Sequence, residues 1–419
     1  MALIEQKYYL TGIKPPFKDK EIELNRQFIN HFYFIENIEN LFLTGEIEFK
    51  DNNGFFEKLP LTGEEGIKVV FEQNFEDQNS SRRNSHIIKT VEFDIFNVSI
   101  PRVEGTSTAT YKFSLVEKGA FSFMSTQYSK SYVNKKISDI IKDVCINQLS
   151  MKESNLKLDT TQGAIDYIIP YWKPSLTIKD LCKRAKRDKS PVEGSYLFYS
   201  TLEDDVNKTP IRRFVSFATL LEQTAGKEDW QKYYYKKKDI NPNLINNYRD
   251  VRNPNYSKRS VITNGIGGKR YFGVELTTDK KVFVQEAKYS EFVKNYPLLG
   301  KTAYLSLGID ELNSDVEFIG GNLDMVKAYQ DYSFRMAIEG FNRREVIIDG
   351  SLDRWCGKVI NVEQMSDSGD ELYNALDSGK WLIKAVTHFF QGTIYEQKMI
   401  VLKDAYAETD LTGFLSKGK

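Results

Sequence analysis

The chain has 419 residues, and 58 Lys plus Arg balance 58 Asp plus Glu, so its formal net charge is zero. That balance argues against a dedicated duplex-DNA binder, which needs a basic excess to neutralise phosphates, and the length provides for roughly two to four domains with sizeable cores. Three widely spaced cysteines, Cys145, Cys182 and Cys356, give neither a disulfide framework nor a Cys-x-x-Cys zinc site; they read as small buried side chains of a protein made in a reducing cytoplasm.

Aromatic residues are plentiful, with 24 Tyr and 27 Phe, and they suit half-buried strands and protein interfaces. Residues 1–7 lack the basic and apolar segments of a signal peptide, and no run approaches the ~20 apolar residues that span a bilayer. A soluble protein with no membrane partner is expected.

In chain order, Pro15-Pro16 breaks a strand-like run at Tyr8-Tyr9-Leu10. From Leu41 a half-buried antiparallel strand is predicted, with Leu41, Leu43, Ile47 and Phe49 on one face and Thr44, Glu46, Glu48 and Lys50 on the other. A turn at Asp51-Asn52-Asn53-Gly54 ends it. Strands are predicted at about 67–75, 86–98 and 108–116, with a charged excursion over 76–84 read as a mobile loop. Strands separated by turn signals suggest a barrel or sandwich.

The period then changes. Val133, Ile137, Ile140, Ile141, Val144 and Leu149 recur at helical spacing, and Ser131 is placed to cap that helix. A second helix is predicted after Thr177, whose hydroxyl stands in capping-box register with Asp180, turning Leu181, Cys182 and Ala185 inward. Its outer side would carry Lys183, Arg184, Lys186 and Arg187. That basic face is either a contact for an acidic partner or for DNA in a channel, or, more plainly, an ordinary solvated surface.

Strand character returns at 196–200 and 213–217 around the acidic turn Glu203-Asp204-Asp205, so the middle of the chain reads as mixed α/β. Aromatic residues interleaved with Lys from Trp230 to Lys238 have the composition of a nucleic-acid surface, in a single cluster only. Loops follow at 241–243 and 253–255. Asn322 is placed to cap a helix through Val326, Tyr329 and Met336, after which a strand at 345–348 turns at Asp349-Gly350 into another at 358–362. A polar loop over 366–371 leads to the last hairpin, and 409–419 reads as a loose tail.

That hairpin, 378–404, pairs two long strands around Gln391-Gly392-Thr393. Strict alternation puts Trp381, Ile383, Ala385, Thr387 and Phe389 on one face and Leu382, Lys384, Val386, His388 and Phe390 on the other. Neither face is cleanly polar. Such a strand is expected to be covered on both sides, by its own core and by a neighbouring chain or domain, or to lie inside a large monomer.

Motifs for chemistry are weak. Asn264-Gly265-Ile266-Gly267-Gly268-Lys269 lacks the first glycine of a phosphate loop and has Arg270 where Ser or Thr would bind magnesium, so a glycine turn is expected. His31, His86 and His388 are far apart, none has a second His at metal-binding spacing, and no nucleophile elbow accompanies them. The acidic loop 367–371 departs from calcium-loop spacing. No catalytic, cofactor-binding or metal-ligating residue is assigned, no cofactor is expected, and the protein reads as a non-enzyme.

Two stretches carry a resemblance. Residues 378–383, with Val386-Thr387-His388-Phe389 and 395–404, resemble the closing hairpin of phage baseplate hub proteins, the family that joins the tail tube to the central spike and is related to the base of type VI secretion spike proteins. Residues 40–50, the turn at Asp51–Gly54, and 59–72 with its Leu59-Pro60-Leu61-Thr62-Gly63-Glu64-Glu65 string resemble the first barrel of the same family.

The resemblance implies a mainly β fold with α/β insertions. Two similar antiparallel β-barrel, tube-like domains, 1–120 and 326–419, would be joined by a mixed α/β domain over 121–240 and a loop-rich connecting segment over 241–325. It implies a structural virion protein of the tail baseplate, made in the host cytoplasm. As a homotrimer it would match a sixfold tail tube protein to a threefold central spike protein. A channel for genomic DNA, passing without specific binding, is expected, with the tape measure protein and other baseplate proteins as further partners. The alternatives are a tail-associated peptidoglycan hydrolase, which needs paired carboxylates in a cleft, or a receptor- or carbohydrate-binding tail protein with an aromatic-lined groove.

Overall fold

Alternating apolar residues from both ends of the chain build one large, mainly antiparallel sheet. The computed structural model describes residues 3–14, 26–54, 56, 65–76, 85–99, 102–104, 108–189, 193–203, 209–226, 232–235, 248–252, 268–274, 282–300, 302–303, 312–319, 323–338, 343–364 and 378–406. The first half of the sheet comprises β1 (Leu3–Lys14), β2 (Ile29–Asn37), β3 (Thr44–Asp51), β4 (Gly66–Glu76), β5 (Ser85–Val98), the short β6 (Arg102–Glu104) and β7 (Thr108–Glu117). They lie in the order β1-β4-β5-β7-β3-β2, with β6 on β7.

The predicted strands at 67–75, 86–98 and 108–116 are all present, and Ile47 and Phe49 are buried as expected. The core of this half is dense in phenylalanine. Phe34 lies 5.3 Å from Phe71, which lies 5.0 Å from Phe390 of the last hairpin. Rings at these separations bury large areas and pack edge-on or offset. The predicted Asp-Asn-Asn-Gly turn closes β3: Asp51 accepts from the Asn53 and Phe56 amides at 3.0 and 2.9 Å, and Gly54 takes φ +64°. The Leu-Pro-Leu string 59–64, the excursion 77–84, the glycine turn 264–267, the acidic loop 367–371 and the 409–419 tail lie outside the described residues.

The mixed α/β part runs through α1 (Ala120–Ser125), β8 (Tyr128–Lys135), α2 (Ile137–Asp143), β9 (Leu156–Leu158), β10 (Ile165–Trp172), α3 (Pro174–Arg184), β11 (Tyr196–Thr201), β12 (Ile211–Ser216) and α4 (Phe217–Leu221). β8 and β10 pair as a ribbon, and β11-β12-β9 form a small sheet. Two predicted helix starts need correction. Ser131 caps nothing, because it and Val133 belong to β8; Ile137, Ile140, Ile141 and Val144 turn into the core together, and the half-buried Leu149 packs against it. The second helix starts three residues earlier than Thr177. Pro174 opens α3 from an extended Lys173, and the Thr177 hydroxyl donates back to the Lys173 carbonyl at 3.3 Å instead of capping.

The later chain supplies β13 (Tyr233–Tyr235), β14 (Asp250–Arg252), β15 (Gly268–Val274), β16 (Val282–Ala287), α5 (Tyr289–Asn295), β17 (Thr302–Ala303), β18 (Leu312–Ile319) and α6 (Leu323–Ile338). Then come β19 (Arg343–Asp349), β20 (Val359–Gln364), β21 (Gly379–Gln391), β22 (Ile394–Leu402) and β23 (Ala405–Tyr406). β16-β15-β18 make a separate three-stranded sheet, and β17 pairs with β23. β13 adds in parallel to β20 and β14 in antiparallel to β19, so the second half of the large sheet draws on the middle of the chain as well.

The strand that joins the halves is β21. One edge pairs with β22; the other pairs first with β20, through Gly379–Leu382, and then with β2, through Ala385–Phe390. A register shift against β22 between Ile383 and Ala385 marks a bulge at Lys384. The bulge overturns the strict alternation expected for this strand. Trp381 and Ile383 before it, and Val386 after it, enter one core of the second half together. His388 and Phe390 continue on that face into the core of the first half, while Thr387 and Phe389 are half-buried on the opposite side. From Trp381 to Val386 every residue is buried, as two-sided covering predicted, but the cover comes from the chain's own cores. The fold is mainly β with α/β insertions, and strands from the two ends of the chain form two halves, or modules, of a single curled sheet.

Candidate functional site

The junction of the two modules holds a buried polar network. β2 points Glu36 inward between Phe34 and Ile38, β21 brings His388 diagonally across from it, in register with Phe34, and β22 contributes Tyr395 and Gln397. His388 Nε2 lies 2.8 Å from Glu36 Oε1 and its Nδ1 lies 2.8 Å from the Tyr395 hydroxyl. The carboxylate can only accept, so Nε2 carries the proton and Nδ1 accepts from Tyr395. Burial drives the Tyr395 phenol well above its ordinary range, which keeps it a donor. The second Glu36 oxygen accepts from the Thr201 hydroxyl at 2.8 Å and the Leu202 amide at 3.0 Å, fixing β11 to the same point.

The network extends into the turn after β19. Gln397 Nε2 donates to the Ser351 carbonyl at 2.8 Å, and its Oε1 accepts from Arg354 Nη1 at 2.9 Å and from the Ser351 amide at 3.1 Å. From β4, Gln73 donates to the Gly350 carbonyl at 3.2 Å and accepts from the Leu352 amide at 2.8 Å. Strands near residues 36, 73, 201 and 390 are thereby tied together. A second clamp lies nearby, where Arg212 of β12 donates to Glu117 of β7 at 2.8 Å and Glu117 also accepts from the Leu43 amide.

A His–Glu pair with a tyrosine behind it has the make-up of a proton-transfer site. Here Glu36 and His388 have no exposed side-chain surface to speak of, 0% and 1%, and Phe34 stacks on the imidazole at 4.2 Å. Nothing can approach them, and the arrangement holds elements in place. Neither residue stood out in the sequence as a partner of the other. They are 352 positions apart, and only the β2–β21 pairing brings them together.

The other sequence candidates scatter. His31 lies at the sheet surface between Glu46 and Glu48, at 3.6 and 3.7 Å, and stacks on Phe389. Among the described residues no group of His, Cys, Asp or Glu is placed to hold a metal ion. All three cysteines are free and buried, as expected, and burial pushes the Cys145 thiol up to about 12. The described part of the Tyr–Lys cluster, 232–235, is built into the sheet. Tyr233 and Tyr234 are buried, β13 pairs with β20, and Lys232 meets Glu363 at 2.8 Å; Trp230 and 236–238 lie outside the described residues.

The basic face also breaks up, because α3 ends at Arg184 and so never carries Lys186 or Arg187. Arg184 donates to Asp180 at 2.8 Å, and the buried Arg187 grips Glu222 with both guanidinium nitrogens. Of the four, only Lys183 stays on the helix without an ion pair.

Beside α6 the segment 193–195 holds a second buried acidic cluster. Glu193 accepts from the Ser195 hydroxyl at 2.6 Å and the Ala218 amide at 3.3 Å, and burial pushes its carboxyl up to about 8. Asp331 accepts from the Gly194 amide at 2.9 Å and is pushed up to about 6, again by burial.

Surfaces open to partners are apolar in two places. Val133 and Ile168 stand on the outer face of the β8–β10 ribbon with 73% and 72% of their surface exposed, and Tyr171 beside them takes φ +56°. On the first module Phe96, beside a bulge in β5, stacks at 5.8 Å on Phe121 of α1. Side chains of this size left in water in groups are the mark of contact surfaces.

No family model matches the chain. It is 22% identical over 389 residues, 86% of each chain, to a Vibrio phage KVP40 protein described as probable baseplate hub protein gp334. Among solved structures, a tail protein from Neisseria meningitidis MC58 superposes with a TM-score of 0.56 at 8% identity, covering 96% of this chain and 98% of that one. The 43 kDa tail protein of prophage MuSo2 from Shewanella oneidensis superposes with a TM-score of 0.51 at 12% identity, covering 95% and 98%. The resemblance to phage baseplate hub proteins read at the two ends of the sequence thus extends along most of the chain, and the fold is the one these tail proteins have.

Proposed function

We propose that this protein is a structural component of a phage tail, a baseplate hub that joins a sixfold tail tube to a threefold central spike. The observation that carries the reading is the seam. Two barrel-like modules from opposite ends of one chain share a sheet through β2 and β21, and the buried Glu36–His388 network clamps them. A chain built this way presents two related β surfaces at a fixed spacing, and three copies would offer six to a tube and three to a spike. The exposed apolar groups on the ribbon and on the first module supply contact surface for neighbours.

The proposal includes a homotrimer around a channel that genomic DNA crosses without specific binding. It also includes a place in the virion, synthesis in the host cytoplasm, and contact with the tape measure and other baseplate proteins. It includes the division of the chain into 1–120, 121–240, 241–325 and 326–419. The role is non-enzymatic, in keeping with a His–Glu pair that no substrate can reach. Mass measurement of the purified full chain, followed by imaging of tailed particles with an antibody to it, tests the reading. A mass three times that of the chain, and label at the end of the tail distal to the head, are expected. A monomer at all concentrations that is absent from particles would overturn it.

A further inference from the structure

We propose that a cavity between the end of β2, α3, β11 and α6 receives a peptide segment of a partner protein in which an apolar side chain is flanked by carboxylates. The cavity holds about 280 Å³, at the small end for ligand pockets and sized for one or two side chains rather than a cofactor. Ile38, Leu41, Leu197 and Phe198 contribute its apolar lining, and Tyr332 of α6 forms part of one wall. Such a lining accepts an aliphatic or aromatic group.

The charges at its mouth select the flanks. Lys179 and Lys183 stand one turn apart on the same side of α3, both border the cavity, and neither has an ion-pair partner among the described residues. The cations around them are accounted for: Arg184 is held by Asp180, and Lys384 by Glu39 at 2.7 Å. Among the described residues Glu39 is the one acid bordering the cavity, so its pairing leaves the mouth with an uncompensated positive pair. Two like charges one turn apart repel, which a carboxylate ligand would relieve. An apolar floor with only two cations favours a peptide over a nucleic acid, whose binding rests on many phosphate contacts. This inference does not depend on the hub reading.

The test uses the full chain and a fluorescein-labelled tetrapeptide, Asp-Leu-Phe-Asp, followed by fluorescence anisotropy. Saturable binding is expected. It should weaken roughly fivefold when both Asp are replaced by Asn, and by a similar factor when salt is raised from about 20 to 300 mM. Ser in place of Leu and Phe should abolish it. Lys179→Glu, on the exposed side of α3, and Lys183→Glu should each weaken it, and the salt titration on unaltered protein stands whether or not a variant folds. Absence of saturable binding, equal affinity for the Asn peptide, or binding indifferent to both lysines would each overturn the proposal.

Discussion

At the scale of single residues, the most consequential chemistry belongs to buried acids that hold their protons to higher pH in the folded chain. Glu193 sits at about 8 against an ordinary 4.5, and burial is the main cause. A carboxyl raised in the folded state contributes its full stability below the unfolded value and loses it as pH climbs toward the folded one. The sensitive window is therefore pH 4.5 to 8, with Asp331 and Asp404, both raised to about 6, adding a loss between 3.8 and 6. Each pH unit of displacement is worth about 1.4 kcal/mol, so Glu193 alone should cost on the order of 3 kcal/mol between pH 5 and 8. Glu193→Gln should remove that dependence. Urea midpoints of the two proteins should nearly coincide at pH 5, and the variant should be the more stable at pH 8; parallel curves would show that Glu193 is not the titrating group.

At the scale of elements, the turn between β19 and β20 depends on having no side chain at Gly350. A Cβ there would lie 2.2 Å from the Tyr395 ring, which is buried and hydrogen-bonded to His388, so neither side can yield. Gly350→Ala should cost roughly 2–4 kcal/mol, read as a lowered midpoint in chemical unfolding, and should also disturb the Gln73 bond to the Gly350 carbonyl. The sequence made this turn legible through Asp349-Gly350, and it made the long hairpin legible through β-branched and aromatic runs around Gly392, which takes φ +56°. It did not reveal the bulge at Lys384. A bulge is a property of pairing with a partner strand, and a lysine between Ile383 and Ala385 fits strict alternation equally well. The helix starts at Ser131 and Thr177 failed because hydroxyl residues in cap-like spacing serve strands and helix interiors too; pairing with β10 decides the first, and Pro174 at the first helical position, a local signal, decides the second. The polar network was the least legible feature, since its members come from positions 36, 73, 201, 351 and 388–397 and look unremarkable one by one.

At the scale of the whole molecule, the question is whether the two half-sheets behave as one body, as the proposed adaptor role requires. They share the β2–β21 pairing, the phenylalanine cluster that includes Phe390, and Glu36, whose carboxylate serves β21 and β11 at once. Glu36→Ala would leave three buried donors, His388 Nε2–H, the Thr201 hydroxyl and the Leu202 amide, without their acceptor. Each lost partner in a dry site costs about 1–3 kcal/mol. Because the three donors belong to different elements, the cost should be shared. Amide exchange followed by mass spectrometry should show protection falling together in peptides from β2, β11 and β21, with no step in which one half-sheet opens while the other keeps its protection. Loss confined to β2 would mean that the halves are joined loosely and that the seam transmits nothing, which would remove the mechanical basis for an adaptor. Joint loss would place the rigidity of the molecule in a single buried carboxylate and the strand pairing around it.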